Sequence, residues 1–183
     1  MDDAVRTIAI TLLRAFGKFV WGRPTPGAQC LGQHFYRFAL VPHRGTWVEA
    51  GLPSLAAEHL TRVYALESAP TRGTLPREQS VVRIEPDSLV LSGVKQSEAA
   101  DAVVVRFWNP LPAPVEASVC SDRVIKAARR LTLEELDQEG LSVERVDGSL
   151  GRSAASQPDC GGHRVALTVG AKEIVTLGLQ FGG

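Results

Sequence analysis

The sequence predicts an all-β fold, and three observations support this. Apolar residues recur at every second position in several stretches, most clearly in residues 173–181, which is the period of a strand with one buried face. About seven such short patterns, separated by turn residues, occur within about 100 residues, a spacing typical of a small antiparallel sandwich. Helical propensity is confined to residues 123–138 and, more ambiguously, to residues 55–64.

Strand patterns in the first part of the chain are separated by long loops. Residues 7–14 alternate on two faces and are almost continuously apolar, which predicts a central strand. Residues 22–32 are rich in proline and glycine and are predicted to form a loop. A second strand is predicted at residues 34–41 and a short third one at residues 47–50, whereas residues 55–64 allow a turn or two of helix.

The second part of the chain has the more regular strand spacing. A segment rich in proline, residues 69–79, separates it from the first part and is the predicted linker between domains at residues 1–68 and 80–183. Asn109 and the three prolines that follow it predict a connection that lies outside the sheet. A turn is expected at residues 147–148 and a loop at 151–162, and strands are predicted at 80–85, 89–94, 102–108, 115–120, 141–146, 164–169 and 173–181.

Composition excludes several classes of partner. Twenty basic and twenty acidic residues give no net charge, so the sequence predicts neither a nucleic-acid partner nor a polybasic membrane contact. No apolar run reaches the roughly 20 residues that span a bilayer, and the acidic start is unlike a signal peptide. Three widely spaced cysteines, Cys30, Cys120 and Cys160, are unlike a disulfide framework, so we expect buried thiols in a reducing cytoplasm.

No catalytic constellation is found in the sequence. The histidines lack the spacing of zinc ligands, and nucleophile and phosphate-loop motifs are absent, so no catalytic and no metal-binding residue is predicted. Trp47 and His43 are the candidate substrate-binding residues. Aromatic faces stack on sugars, so Trp21, Trp47 and Trp108 could together serve a carbohydrate-binding module, although tryptophan in sandwiches is more often core.

Two separated sets of motifs carry a family resemblance. The first runs through TIAITLLR at residues 7–14, QCLGQHFYRFALVPH at 29–43 and GTWVEA at 45–50; the second runs through GVKQSE at 93–98, VVRFWNP at 104–110 and KEIVTL at 172–177. In order and content these resemble the C-terminal β region of glycoside hydrolase family 38, the α-mannosidases. Lys172 stands where the family usually has proline, and residues 60–66 depart from its usual connection.

The resemblance implies a fold, a function and partners. It implies that residues 1–68 are the last strands of a large mutarotase-like sandwich, followed by a small antiparallel sandwich. It also implies that residues 127–134 are a strand and turn, against their helical propensity. Family members carry their zinc ion, aspartate nucleophile and acid/base carboxylate in an N-terminal catalytic domain, so no cofactor is expected in this chain and zinc is expected in that domain.

These observations favour a non-catalytic C-terminal fragment of an α-mannosidase that braces the catalytic domain and meets carbohydrate only indirectly. In the parent, zinc-dependent retaining hydrolysis of α-mannosides would occur elsewhere in the polypeptide. A stand-alone carbohydrate-binding β-sandwich and one subunit of a split glycosidase are the alternatives. An unpaired sheet edge near residues 6–14 predicts homo-oligomers.

Overall fold

The structure is a computed structural model that describes residues 8–69, 72–73, 79–98, 100–146 and 162–182. The chain divides into two compact units, Met1–Pro42 and His43–Gly183. Most of the ordered secondary structure is β-strand in two antiparallel sheets, which confirms the predicted all-β fold. The domain boundary that we expect at residues 69–79 stays a prediction.

The second unit contains a two-sheet sandwich preceded by a helix, α1, at Leu52–Leu60. One sheet has the strand order β1-β4-β8-β7 and the other β2-β3-β9-β5-β6, and all pairs are antiparallel. The strands are β1 Arg83–Glu85, β2 Val90–Gln96, β3 Val103–Trp108, β4 Val115–Ser121, β5 Ile125–Leu131, β6 Asp137–Leu141, β7 Val143–Val146, β8 Gly162–Val169 and β9 Ile174–Phe181.

The core lies between the two sheets and follows the predicted alternation. Val105 and Phe107 of β3 and Leu177 and Leu179 of β9 are fully buried and belong to one cluster. From the four-stranded sheet, the same cluster receives Val119 and several neighbours. Because alternate residues of a strand point the same way, β3, β4, β8 and β9 each send every second side chain into this core.

Residues 123–138 form a strand and a turn, as the family resemblance implies. Strand β5 pairs with β9 through six register positions, and the backbone hydrogen bonds of a central sheet outweigh the helical propensity of its residues. A separate strand, β6, starts at Asp137, earlier than the strand predicted at residues 141–146. Residues 147–161, where a turn and a loop are expected, lie outside the described residues.

The strands predicted in the first part of the chain are not formed. Residues 8–16 and 33–43 contain neither helix nor strand, and residues 47–50 form a turn. A strand needs a neighbour to accept and donate its backbone hydrogen bonds, and the described part of this chain offers none to these residues. The predicted sheet edge is likewise absent from residues 8–14, and helix α1 includes residues 55–60 of the ambiguous stretch at 55–64.

The first unit is held by a few backbone hydrogen bonds and leaves apolar side chains exposed. The 3₁₀ helix Pro26–Gln29 lies inside the predicted loop, and another, Val20–Gly22, ends at its first residue. Phe16 N donates to Ala28 O at 3.1 Å, which joins the segment before the loop to the loop itself. None of the described residues of this unit is buried.

Cysteine chemistry differs from the expectation. Cys120, which is buried on β4, is disulfide-bonded, whereas Cys30 is free. The inference that all three residues are unpaired thiols is therefore wrong for Cys120. Spacing along the sequence did not reveal this bond, because the distance between cysteines in the fold, and not along the sequence, decides which of them can be bridged. Cys160 lies outside the described residues.

Candidate functional site

Trp47, a predicted substrate contact, lies at one end of the sandwich. The turn that carries it is fixed by Glu49, whose carboxylate accepts hydrogen bonds from Thr46 N at 2.8 Å and Thr46 Oγ1 at 3.0 Å. These hydrogen bonds, that from the backbone foremost, lower the pKa of Glu49. The ammonium group of Lys172 lies 5.2 Å from the centre of the Trp47 ring, a cation–π contact, and the ring remains 49% exposed.

Lys172 is anchored from both its backbone and its side chain. It has a left-handed backbone with a φ of 57°, its backbone N–H donates to Leu111 O at 3.2 Å, and its ammonium donates to Pro110 O. The contact with Trp47 therefore joins the turn at residues 46–49 to the proline-rich connection after β3. This contact gives Trp47 a structural role, whereas sugar stacking on its ring stays a prediction.

Asn109 organises the same end of the sandwich. Its side chain is fully buried, its Nδ2 donates to Ala113 O at 2.8 Å and Gly170 O at 3.0 Å, and its Oδ1 accepts from Leu111 N at 2.9 Å. A buried amide must satisfy its donors and acceptors, and here three backbone groups of two loops do so. Asn109 thus ties the β3–β4 connection to the β8–β9 turn.

A cavity of about 380 Å³ opens beside these loops. Arg130 of β5 forms an ion pair with Glu173, just before β9, and a longer one of 3.7 Å with Glu139. The lining combines carboxylates, one guanidinium, an amide, hydroxyls and aliphatic groups. The residues are Arg130, Leu131, Thr132, Leu133, Glu134, Gln138, Glu173, Ile174 and Thr176.

One wall of the cavity is the β5–β6 loop, residues 132–136, which crosses the outer face of the five-stranded sheet. Arg106 of β3 donates to Leu133 O at 2.9 Å and to Thr176 Oγ1 at 3.0 Å. Further along, Glu135 forms an ion pair of 2.6 Å with Lys95 of β2. The loop reaches β2 from β5 and therefore passes over the strands between them.

The Glu135 carboxylate is the tightest anchor of that loop. Its side chain is only 10% exposed, and it also accepts from Ser97 Oγ and Glu98 N, each at 3.3 Å. The hydrogen bond from Lys95 is the main cause that lowers the pKa of Glu135, and the same contact raises the pKa of Lys95. The φ of Glu135 is 66°, a left-handed conformation that these contacts hold in place.

The other residues singled out in the sequence lie on different elements. His43 is exposed at the start of the second unit, and Trp108 is half-buried on β3. Trp21 belongs to the first unit, where it is 96% exposed. The His34 ring bonds to Cys30 O at 2.6 Å.

Sequence reasoning missed the Arg130–Glu173 pair. Its only signal was two consecutive arginines at the end of an apolar pattern, and the pairing of β5 with β9 was needed to bring Glu173 to them. The functional expectations for His43 and Trp47 stay predictions.

The part of the chain that the structure describes contains neither a cluster of metal ligands nor a membrane-spanning helix. There, no three His, Cys, Asp or Glu side chains come together in a group that could hold a metal ion. The described side chains therefore do not fit a zinc site. The described helices include none that is long and apolar enough to cross a membrane.

Comparison with known proteins places the sandwich in a family. Residues 88–177 match the glycosyl hydrolases family 38 C-terminal beta sandwich domain. They cover β2 to the middle of β9, and so nearly the whole of both sheets.

A second comparison reaches beyond the sandwich. The chain is 30% identical over 142 residues to "Putative mannosylglycerate hydrolase" of Halalkalibacterium halodurans. Those residues are 76% of this chain but only 16% of the relative. With two antiparallel sheets whose strands cover the matched range, the sandwich of this chain belongs to the C-terminal β-sandwich domains of glycosyl hydrolase family 38.

Proposed function

We propose that this chain is a non-catalytic C-terminal part of a family 38 glycoside hydrolase of the α-mannosidase type, and that it braces the catalytic part of that enzyme. Zinc-dependent retaining cleavage of an α-mannoside would then take place on residues outside this chain, with a nucleophile and an acid/base carboxylate close together. In this bracing role the chain would meet carbohydrate only indirectly.

The apolar surface of residues 8–66 is the observation that carries this proposal. Large apolar side chains are scattered singly on ordinary surfaces, but contiguous sets mark contacts with other polypeptide. Here they recur along a stretch that has no sheet partner of its own in the described chain. The most exposed are Ile8, Trp21, Leu31, Phe35, Val63, Tyr64 and Leu66, each at least 83% accessible.

The comparison with the longer relative supports the same reading. The aligned region makes up 16% of that protein, so most of its chain corresponds to nothing in this one. A domain that leaves apolar segments uncovered beside a self-contained sandwich core is suited to packing against such a neighbour. By this account the partner is a catalytic domain of the same family.

Reconstitution tests the proposal directly. The Halalkalibacterium relative would be expressed without the region that aligns with this chain, and the two polypeptides would be mixed and separated by size-exclusion chromatography. We expect a one-to-one complex, with hydrolysis of an aryl α-mannoside or of mannosylglycerate by the mixture and none by this chain alone. A chain with Ile10, Phe35 and Phe38 changed to serine is the control that should not associate.

The possible outcomes favour different alternatives, and one of them needs a further observation. Complex formation with restored activity fits both bracing and a split glycosidase, and the genomic neighbourhood of the coding sequence distinguishes these two. Self-association of the chain without capture of the relative would favour the homo-oligomer. Hydrolysis by this chain alone, or no interaction of any kind, would contradict the proposal.

The predicted cytoplasmic location stays a prediction. It depended partly on unpaired thiols, and the disulfide at Cys120 removes that support, because disulfides persist mainly in oxidising compartments.

A further inference from the structure

We propose that the cavity between the β5–β6 loop and the start of β9 is a binding site for a neutral sugar residue. This goes beyond bracing and does not depend on it, since the cavity is built by the sandwich itself. Its volume, about 380 Å³, falls within the range of roughly 300–1,000 Å³ that is typical of small-molecule sites.

The polar lining offers both kinds of hydrogen-bonding group that a sugar hydroxyl needs. Glu134 supplies carboxylate oxygens as acceptors, and the Gln138 amide supplies two donors and an acceptor. Neither side chain has a hydrogen bond or ion pair within the described residues, so both are available to a ligand. Arg130 and Glu173, already paired with each other, form a fixed polar floor.

Charge selects against anionic ligands. The lining carries one guanidinium and two carboxylates, and Arg130 is engaged by both Glu173 and Glu139. The lining residues thus offer no cation outside an ion pair, and the neighbouring Arg106 guanidinium is bonded to Leu133 O and Thr176 Oγ1. A neutral, polyhydroxylated ligand matches a lining that offers both hydrogen-bond donors and acceptors.

Apolar groups complete the match with a pyranose ring, whose faces are partly apolar. Ile174 and Leu133 line the cavity and are 53% and 60% exposed. Trp108 is the cross-strand neighbour of Ile174, and Trp47 covers Lys172, two residues before Ile174. Two of the three tryptophans singled out in the sequence therefore adjoin this segment.

NMR titration of the full ¹⁵N-labelled chain with methyl α-D-mannopyranoside tests this inference, with glycerol as the acyclic control. We expect saturable shifts at millimolar sugar, confined to amides of residues 132–138 and 173–176, and none with glycerol. Gln138→Ala and Glu134→Ala should each weaken binding about tenfold, because each removes a hydrogen bond to the sugar.

Matched variants away from the cavity control for nonspecific effects. Two exposed residues serve here: Gln180→Ala, near the end of β9, and Glu58→Ala, on α1, should bind the sugar as the unaltered chain does. Thermal unfolding of all four variants verifies that the fold is retained. Absence of shifts, shifts spread over the whole sandwich, or equal binding by cavity and control variants would overturn the proposal, whatever the outcome of reconstitution.

Discussion

At the residue scale, Asn109 shows how one buried amide can hold two loops. Replacing it with alanine would leave the partly buried carbonyls of Ala113 and Gly170 and the N–H of Leu111 without this partner. We expect Asn109→Ala to lower the free energy of unfolding by about 2–3 kcal/mol. Urea denaturation followed by tryptophan fluorescence measures this, and a loss below that of the exposed control Gln180→Ala would contradict the assignment.

The disulfide at Cys120 gives a second prediction at this scale. Reduction should lower the free energy of unfolding by about 2–4 kcal/mol, because a crosslink restricts the unfolded chain. Thermal unfolding with and without a phosphine reductant measures the effect. Cys30→Ser, which removes the free thiol, should respond to the reductant as the unaltered chain does. Identical melting curves in both conditions would show that no structural disulfide is present.

At the element scale, the β5–β6 loop should be held less firmly in acid. The pKa of Glu135 is lowered from its ordinary value of 4.5, so its contribution to stability is fully present above that pH and is lost as the pH falls through the lowered value. Glu135→Gln should therefore be less stable than the unaltered chain at neutral pH, and the difference should shrink in acid.

The pH experiment has a direct readout and a matched control. Urea unfolding of both chains is compared between neutral and acidic pH, with Glu58→Gln on the exposed face of α1 as the control. A stability difference that is constant across this range would show that the carboxylate of Glu135 does not hold the loop through its charge.

The start of β8 gives a backbone prediction. Gly162 has a φ of +96°, and a Cβ there would lie 2.4 Å from the Ser121 carbonyl oxygen. We expect Gly162→Ala to destabilise the sandwich by about 2–3 kcal/mol, since both strain and steric overlap oppose the side chain. Gly140→Ala on β6, where a Cβ meets nothing within 4 Å, should change stability by less than about 0.5 kcal/mol. Equal melting temperatures would contradict this.

Element types in the sandwich were predictable from sequence where burial follows a period of two. Strands β3, β4, β8 and β9 each bury alternate residues in the core, so their pattern survives in the sequence. Strand β5 was not predictable from propensity, because its pairing with β9 overrides a helical composition, and the family motif supplied the correct answer. Strand β6 is exposed almost throughout and leaves no apolar pattern to read.

At the scale of the whole molecule, the strand patterns of the sequence correspond to strands in the sandwich but not in the first unit. The sandwich contains both partners of every strand pair, so its pattern is realised. Residues 7–14 and 34–41 carry equally clear strand patterns, yet the described residues there form no strand. Local sequence specifies which face is apolar, but a strand also needs a neighbouring backbone. The cavity was not predictable either, because it depends on residues brought together by sheet pairing.

Hydrogen–deuterium exchange of the chain, alone and mixed with the relative that lacks its aligned region, tests the central claim most directly. For the chain alone, we expect fast exchange at residues 8–41 and strong protection in β3, β5 and β9, whose amides are paired on both sides. On complex formation, residues 8–41 should become protected while the sandwich core stays unchanged. Protection of residues 8–41 in the isolated chain, or no gain of protection in a mixture that forms a complex, would contradict the account.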